Sequence, residues 1–300
     1  MADTTDLRTE LGAAPLQRDV LRVHGPEAIE YLQGQLSQDV AALAVGQSAP
    51  SLLLQPTGKV EAWLRVTRTA DDEVLLDVET GFGDAVHARL RRFKLRTKVE
   101  LEPAVWWGLA LRGPGATDLA VPAGAMALDA AWPGVEGVDL LSEGELALAG
   151  VPLVDRDALE ALRIECGVPA MGAELTEATI PAEAGQWLID ASASFTKGCY
   201  TGQELVARID SRGGNVPRPV RGLLVDGDTV PVGAELRPDG AAPEDATVGT
   251  VTSSGRSAAL GSVALALVGR AGAPGTRVEV RWGDSELERR VATVAELPLR

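Results

Sequence analysis

Residues 197–204 read KGCYTGQE, the most distinctive stretch of the chain. Thr201 and Glu204 have the T-x-x-E spacing of a capping box and precede the apolar run LVARI, which predicts that a helix begins between them. Cys199 would then lie just before the positive end of the helix dipole, and Lys197 adds a positive charge nearby. Because both effects favour the thiolate form, the stretch predicts a reactive cysteine.

The cysteine count limits metal and disulfide chemistry. Cys166 and Cys199 are the two cysteines, and they lie far apart without a CxxC motif. A structural zinc site or a protein-borne iron–sulfur cluster needs about four ligands, so we expect no stably bound metal. Cys166 shares a predicted helical face with Leu159 and Leu162, which favours core packing. A lone cysteine is more often a buried apolar side chain than a reactive one, so Cys199 needs support from the rest of the chain.

Composition and charge exclude several classes of protein. The net charge of −15 repels phosphate backbones, so we expect no direct nucleic-acid binding. The first ten residues, MADTTDLRTE, have neither the basic nor the apolar region of a secretory signal, and no apolar run reaches the roughly 18 residues of a membrane span. We therefore expect a cytoplasmic protein without a membrane partner.

The chain divides into segments with different patterns. Residues 50–104 alternate between strand-like runs and one helix candidate, in which Val86, Leu90 and Phe93 recur at helical spacing. A second helix is predicted from Asp155 or Asp157 to a stop at residues 167–169, with Asp157 and Glu160 as a capping pair. From residue 217 onward, short Val-, Leu- and Ala-rich runs separated by turn residues predict a small β-barrel.

Four segments, in order, resemble the YgfZ family. KGCYTGQE at 197–204 looks like its signature, and YLQGQLSQDV at 31–40 resembles its early segment. LRIECGVP at 162–169 and TIPAE at 179–183 resemble two further elements. The similarity spans about residues 16–300, which is nearly the whole chain.

The resemblance implies a fold and a function. It implies the α+β fold of the glycine-cleavage T-protein, with three domains around a central cavity for tetrahydrofolate. We assign residues 1–49 and 105–216 to a discontinuous folate-binding core, 50–104 to a ferredoxin-like α+β domain and 217–300 to a C-terminal β-barrel. The implied function is support of iron–sulfur cluster assembly or repair and of iron–sulfur-dependent tRNA modification, with iron–sulfur proteins as clients. The family also implies a monomer.

One departure separates the chain from T-proteins. T-proteins have an Asp-Asp pair in a strand that meets the folate, and Ala62 and Trp63 take these positions here, unless Glu61 shifts by one residue. T-proteins also lack the motif cysteine. Both differences argue against glycine-cleavage aminomethyltransferase activity. A folate-dependent one-carbon transferase remains the alternative, and whether the chain is an enzyme stays open.

The resemblance also suggests site residues. Cys199 and Lys197 are the predicted catalytic pair, in a cleft between the three domains. Glu165 and Glu183 could accept the pterin amino group and N–H in a bidentate pair, although surface carboxylates are the ordinary alternative. Trp187 could stack on the pterin ring, although core packing is commoner. The remaining predicted folate contacts come from the motif and its helix: Tyr200, Gln203, Glu204 and Arg208.

The ten residues RLRRFKLRTK at 89–98 form a basic run in an acidic chain. This run could meet the glutamate tail of folate or an acidic partner surface. A solvated helix face is the ordinary explanation of such a run.

Overall fold

A computed structural model of the chain describes residues 5–211, 213–240, 242, 246–283 and 288–300. The strands are β1 (Gly12–Leu16), β2 (Arg18–His24), β3 (Ser48–Leu54), β4 (Val60–Ala70), β5 (Glu73–Glu79), β6 (Glu100–Ala104), β7 (Trp107–Arg112), β8 (Ala125–Asp129), β9 (Gly137–Ser142), β10 (Val220–Val225), β11 (Glu235–Pro238), β12 (Gly249–Ser257), β13 (Gly261–Val268), β14 (Arg277–Trp282) and β15 (Glu288–Ala295). The α-helices are α1 (Ala28–Gln35), α2 (Gly83–Phe93), α3 (Arg156–Cys166), α4 (Gln186–Ser192) and α5 (Gln203–Asp210).

The largest open sheet has the strand order β3-β4-β5-β2-β6, and every neighbouring pair is antiparallel. The helix α2 forms within the predicted segment, and Val86 and Leu90 are buried against the core. This sheet contains strands from both sides of the domain boundary predicted between residues 49 and 50. Strand β2 lies before that boundary, yet it pairs with both β5 and β6. Residues 50–104 therefore share their sheet with residues 18–24.

A second, four-stranded sheet has the order β1-β7-β9-β8. Its strands come from the first residues of the described chain and from residues 107–142. The two segments meet because β1 pairs with β7 along its whole length. The inner faces of β1, β7 and β9 bury Ala13, Leu111 and Leu140 in a separate small core.

The C-terminal barrel is closed, with the order β10-β13-β12-β11-β14-β15. This architecture confirms the barrel predicted from the short apolar runs after residue 217. Its interior is filled by small and medium aliphatic side chains such as Leu223, Ala264 and Val280, all of them buried. Closure leaves no open sheet edge, which removes a site for unwanted strand pairing.

Helix α3 connects the barrel to the rest of the molecule. It begins within the predicted window and ends at Gly167, whose φ of 70° is the left-handed conformation that favours glycine. The predicted capping pair is wrong, because Glu160 binds the guanidinium of Arg163 instead. Arg163 also donates to Ser253 Oγ of β12 at 2.6 Å, and that hydroxyl donates to Glu174 at 2.7 Å. A buried polar network therefore fixes the barrel against α3.

Candidate functional site

A large cavity lies between the two open sheets and α3. Its volume is about 520 Å³, and its walls come from β1 to β5, β7 to β9, α3 and the turns beside them. Pockets of roughly 300–1,000 Å³ are typical of small-molecule and cofactor sites. The meeting of two sheets and a helix thus creates a chamber of cofactor size in the interior.

A chain of buried ions lies along one wall of the cavity. Arg65 of β4 donates to both carboxylate oxygens of Asp77, at 2.9 and 3.0 Å, and to Asp139 Oδ2 at 2.9 Å. Arg18 of β2 reaches the other side of Asp77, at 2.7 Å. Arg112 of β7 lies 2.9 Å from Asp139 Oδ1. The network therefore joins the two open sheets across the chamber.

The electrostatics of this network follow from its arginines. Burial opposes ionisation of Asp139, but the cations of Arg112 and Arg65 outweigh it and lower its pKa to about 2. Burial likewise opposes ionisation of Asp77, and Arg65 and Arg18 hold its pKa below the usual range. Both carboxylates are therefore ionised at neutral pH despite their burial.

Two indoles add flat apolar surfaces to the chamber. Trp132 lies against Arg112, with the guanidinium carbon 4.2 Å from the ring centroid. Trp63 of β4 also lines the cavity, and its Nε1 donates to Ser192 Oγ of α4 at 3.0 Å. Its ring meets Trp187 edge-on, with centroids 6.0 Å apart. The chamber therefore combines aromatic walls with charges of both signs.

The motif loop immediately precedes α5, and none of its residues lines the chamber. The helix begins at Gln203, as predicted within a residue, but the predicted capping box is wrong because no side chain caps it. Instead, Gln203 Oε1 accepts from the backbone N–H of Tyr200. Gly202 has a φ of 81°, and a Cβ there would lie 2.5 Å from the carbonyl oxygen of Gln55. The loop therefore packs closely against the turn between β3 and β4.

Lys197 binds the motif loop to the end of α1. Its Nζ donates to the carbonyl oxygens of Gln33, Leu36 and Gln38 at 2.6, 2.7 and 2.8 Å. Burial lowers the pKa of Lys197 to about 8, although the nearby Asp39 carboxylate opposes this shift. All three ammonium hydrogens can thus find backbone acceptors, and the catalytic role of Lys197 stays a prediction.

The two thiols have opposite environments. Cys199 is exposed, whereas Cys166 is buried beside Leu162 and Val168 in the core. Burial raises the pKa of Cys166 to about 12. The core packing predicted for Cys166 is confirmed. The motif loop packs against α1 and the β3–β4 turn, and Cys199 is not among the residues that line the chamber, so its place in a cleft between the domains stays a prediction.

The two carboxylates predicted to bind pterin have protein partners. Glu165 is buried and accepts from Arg8 Nε at 2.6 Å. Glu183 is buried and accepts from the backbone N–H of Ile180 at 3.0 Å, within a short 3-10 turn. Neither carboxylate lines the chamber. Their folate-binding role therefore stays a prediction without support from cavity geometry.

The other predicted folate contacts are also dispersed. Trp187 packs edge-on against the ring of Trp63. Tyr200 is buried, with its ring centroid 5.2 Å from Lys197 Nζ. Glu204 and Arg208 are exposed on α5. None of these residues, and not Gln203 either, lines the chamber.

Sequence reasoning missed the buried ions at the chamber. Arg65 and Asp139 line it, and Asp77 lies between Arg65 and Arg18. All three interrupt short apolar runs, in WLRV, VLLDV and GVDLLS. A charged side chain in such a run is rarely buried unless it is paired, so each one signals a partner elsewhere. The pattern could have identified the charges, but not which strands they join.

No helix within the described ranges is long and apolar enough to cross a membrane. The same ranges contain no cluster of three or more His, Cys, Asp or Glu side chains arranged to hold a metal ion.

Two family matches cover most of the chain. The GCVT N-terminal domain matches residues 18–131, and the glycine cleavage T-protein C-terminal barrel domain matches residues 218–299. The chain belongs to the GCVT family. The second match coincides with the closed barrel, and the first includes the five-stranded sheet and much of the chamber wall.

Several curated proteins are similar in sequence to the chain. It is 29% identical over 199 residues to an uncharacterized protein of Haemophilus influenzae, covering 66% of this chain and 68% of that one. It is 29% identical over 214 residues to the tRNA-modifying protein YgfZ of Pectobacterium carotovorum, covering 64% and 63%. It is also 28% identical over 229 residues to the mitochondrial iron-sulfur cluster assembly factor IBA57 homolog of Mycosarcoma maydis, covering 71% and 56%. The resemblance to YgfZ is thus confirmed, while the alignments span less than two thirds of these two named relatives.

A solved structure supports the fold assignment. The glycine cleavage system aminomethyltransferase T of Bartonella henselae aligns with a TM-score of 0.75, covering 97% of this chain and 87% of that one. The sequence identity is 22%, so the comparison concerns the fold. It confirms the predicted T-protein-like architecture with a C-terminal barrel.

Proposed function

We propose that this GCVT-family chain binds a reduced folate in the central chamber and, through the exposed Cys199, supports iron–sulfur proteins, including those that modify tRNA. The YgfZ and IBA57 names of its relatives support this class of function. The observation that carries the proposal is the chamber itself. It lies between the two open sheets, has a volume of about 520 Å³ and combines two indoles with buried charges.

The chamber suits the chemistry of a folate. A pteridine ring is flat, so it could stack on Trp63 or Trp132. Its amino group and ring N–H need acceptors, and Glu79, which lines the chamber, is the carboxylate we assign to them. Burial raises the pKa of Glu79, although its Oε1 also accepts from the backbone N–H of Met171.

A buried polar atom without a partner supports a ligand at this place. Arg112 lines the chamber, and its Nε is buried without a hydrogen-bond partner among the described residues. Leaving such a donor unsatisfied costs roughly 1–3 kcal/mol. A ligand acceptor or an ordered water would remove that cost. We therefore infer that the Arg112 end of the chamber takes a polar part of the ligand.

The thiol chemistry falls to Cys199 because Cys166 is buried with a raised pKa. We assign Lys197 to positioning of the loop, since its Nζ donates to three carbonyl oxygens. The folate and the thiol would then act at separate places. Trp63 links the two places, because it lines the chamber and its Nε1 donates to Ser192 of α4. Helix α4 precedes the motif loop in the sequence.

One-carbon transfer to an amine, the alternative, lacks a supporting observation. Ala62 is fully buried and Trp63 lines the chamber where T-proteins have their Asp pair. Glu61 does not replace that pair, because its carboxylate lies 3.8 Å from Arg89 Nε and outside the cavity lining. We therefore rank the accessory function above the transferase.

Calorimetric titration with tetrahydrofolate under reducing conditions tests the proposal. We expect saturable binding to the wild-type chain and roughly tenfold weaker binding to Trp132→Leu, because one stacking surface is lost. Trp107→Leu is the matched control, since Trp107 is half exposed and does not line the chamber. Absence of heat with the wild-type chain would contradict the assignment, and equal affinities of the two variants would exclude Trp132 as the stacking surface.

A further inference from the structure

The segment 89–98 is positively charged, whereas the chain as a whole is negatively charged. Six of the 28 lysines and arginines stand in these ten residues, although the net charge of the chain is −15. The structure divides the six into two groups. Arg89 is buried and donates to Gln35 Oε1, and Lys94 lies 3.0 Å from Glu100.

The other four cations form what we call the basic face: Arg91, Arg92, Arg96 and Lys98. All four are exposed. Among the residues that the structure describes, no carboxylate forms an ion pair with their charged groups within 4.0 Å. Their charge is therefore available to another molecule.

Stabilisation of α2 explains only part of this face. Arg91 and Arg92 lie in the last turn of α2, where cations interact favourably with the helix dipole. Arg96 and Lys98 lie beyond the helix, and the dipole effect falls off within one turn. These two cations need another explanation.

An apolar side chain lies between these cations in the sequence. Leu95 is 88% exposed and has a φ of 46°, a left-handed conformation that is uncommon for a leucine. Single exposed apolar residues are ordinary on protein surfaces. Here, however, the leucine is surrounded in sequence by cations, which is the arrangement of an apolar contact within a charged rim.

Helix α2, whose last turn carries two of these cations, and the motif loop both contact the end of α1. Arg89, at the base of the face, donates to Gln35 Oε1 at 3.1 Å. The preceding residue, Gly34, accepts from the backbone N–H of Thr201 at 3.3 Å. Adjacent residues of one helical turn therefore contact the segment that carries the cations and the loop that carries Cys199.

We propose that the basic face is a docking surface for an acidic protein partner, with Leu95 contacting an apolar patch at the centre of that partner's acidic surface. Charge complementarity selects a partner with clustered carboxylates and steers its approach. The rest of the molecule is acidic and repels a long polyanion such as RNA, whereas a small acidic patch meets only this face. The assignment of that partner as an iron–sulfur client rests on the proposed function; the docking surface does not.

Fluorescence anisotropy with a labelled peptide rich in glutamate and containing one central leucine tests the surface. We expect salt-sensitive binding to the wild-type chain and roughly tenfold weaker binding to the triple variant R91E/R92E/R96E. The control triple variant R218E/R256E/R270E reverses three exposed arginines near or in the barrel and should bind like the wild type. Leu95→Ser should weaken binding by a few-fold without changing its salt dependence.

Three results would overturn the proposal: equal binding by both triple variants, equal binding of a lysine-rich peptide, or tighter binding of an RNA hairpin than of the acidic peptide. Tetrahydrofolate calorimetry on R91E/R92E/R96E separates this proposal from the previous one, because no residue of the basic face lines the chamber. Unchanged folate binding with lost peptide binding is the expected result. Lost peptide binding together with lost folate binding would mean that the variant disturbs the fold, and the single variant Arg96→Glu would then decide by its peptide affinity alone.

Discussion

The ammonium nitrogen of Lys197 lies 2.6 Å from the carbonyl oxygen of Gln33. Gln33 belongs to the segment YLQGQLSQDV at 31–40, and Lys197 belongs to KGCYTGQE at 197–204. These are the first and the last of the four segments that resemble the YgfZ family. Their contact joins the two segments at the end of α1. The first provides backbone carbonyls at the end of α1, and the second provides the cation that binds them and the thiol two residues later.

Replacing Lys197 by methionine should loosen the motif loop. The variant keeps the length of the side chain but removes three hydrogen bonds from a charged donor, and we expect the free energy of unfolding to fall by roughly 1–3 kcal/mol. Urea unfolding measures the loss. Lys98→Met, at an exposed position, is the control and should change stability by less than about 0.5 kcal/mol. Equal stability of the two variants would show that the three carbonyl contacts contribute nothing.

Arg65 should be essential for stability. Replacing it by methionine leaves Asp77 and Asp139 buried beside a missing cation, and breaking a buried pair in this way costs about 3–5 kcal/mol. Arg289→Met is the control, because Arg289 is largely exposed and lies 3.6 Å from Glu279. Urea unfolding of both variants checks the expectation. A difference smaller than about 1 kcal/mol would contradict the central place of Arg65 in the network.

The same network predicts a dependence of stability on acid. Asp139 has a pKa of about 2 in the folded protein and about 3.9 when unfolded, so the unfolded state binds its proton more tightly. Its contribution, about 2.6 kcal/mol, is fully present above pH 5 and is lost as the pH falls through 4 toward 2. Urea unfolding at a series of pH values should show this loss. Asp139→Asn should flatten this part of the curve, and an unchanged slope would refute the assignment.

The two thiols should differ in reactivity. In the folded protein we expect iodoacetamide to label Cys199 at least tenfold faster than Cys166, because only Cys199 is exposed and the pKa of Cys166 is raised to about 12. Mass spectrometry of proteolytic fragments measures both rates. The rates should converge in denaturant. Similar labelling of both thiols in the folded state would remove the basis for a single reactive cysteine.

Local patterns predicted much of the fold. The periodicity of Val86 and Leu90 located α2, the glycine at 167 located the end of α3, and the short apolar runs after residue 217 predicted the barrel. In each case the physical cause is local, since it depends on side-chain spacing or on backbone preferences of neighbouring residues. The pairing of β2 with β5 and β6 did not follow from local patterns, because these strands are distant from it in sequence.

The candidate site was less predictable. The contrast between Cys166 and Cys199 followed from helical periodicity and motif context, and the structure bears out their difference in burial. The chamber wall did not follow, because Arg65, Asp77 and Asp139 come together through the pairing and packing of two sheets. The capping box at Thr201 failed for a related reason. The N-cap is Gly202, because close packing against the carbonyl oxygen of Gln55 leaves room only for a glycine there. This tertiary contact overrides the local preference for a threonine cap.

A crystal structure of the chain with tetrahydrofolate tests the central claim most directly. The account predicts the pteridine ring in the chamber between the two open sheets, against Trp63 or Trp132, with a carboxylate of the chamber wall accepting its N–H groups. A pteridine bound beside Glu165 or Glu183, outside the chamber, would contradict this account and restore the sites first predicted from the sequence.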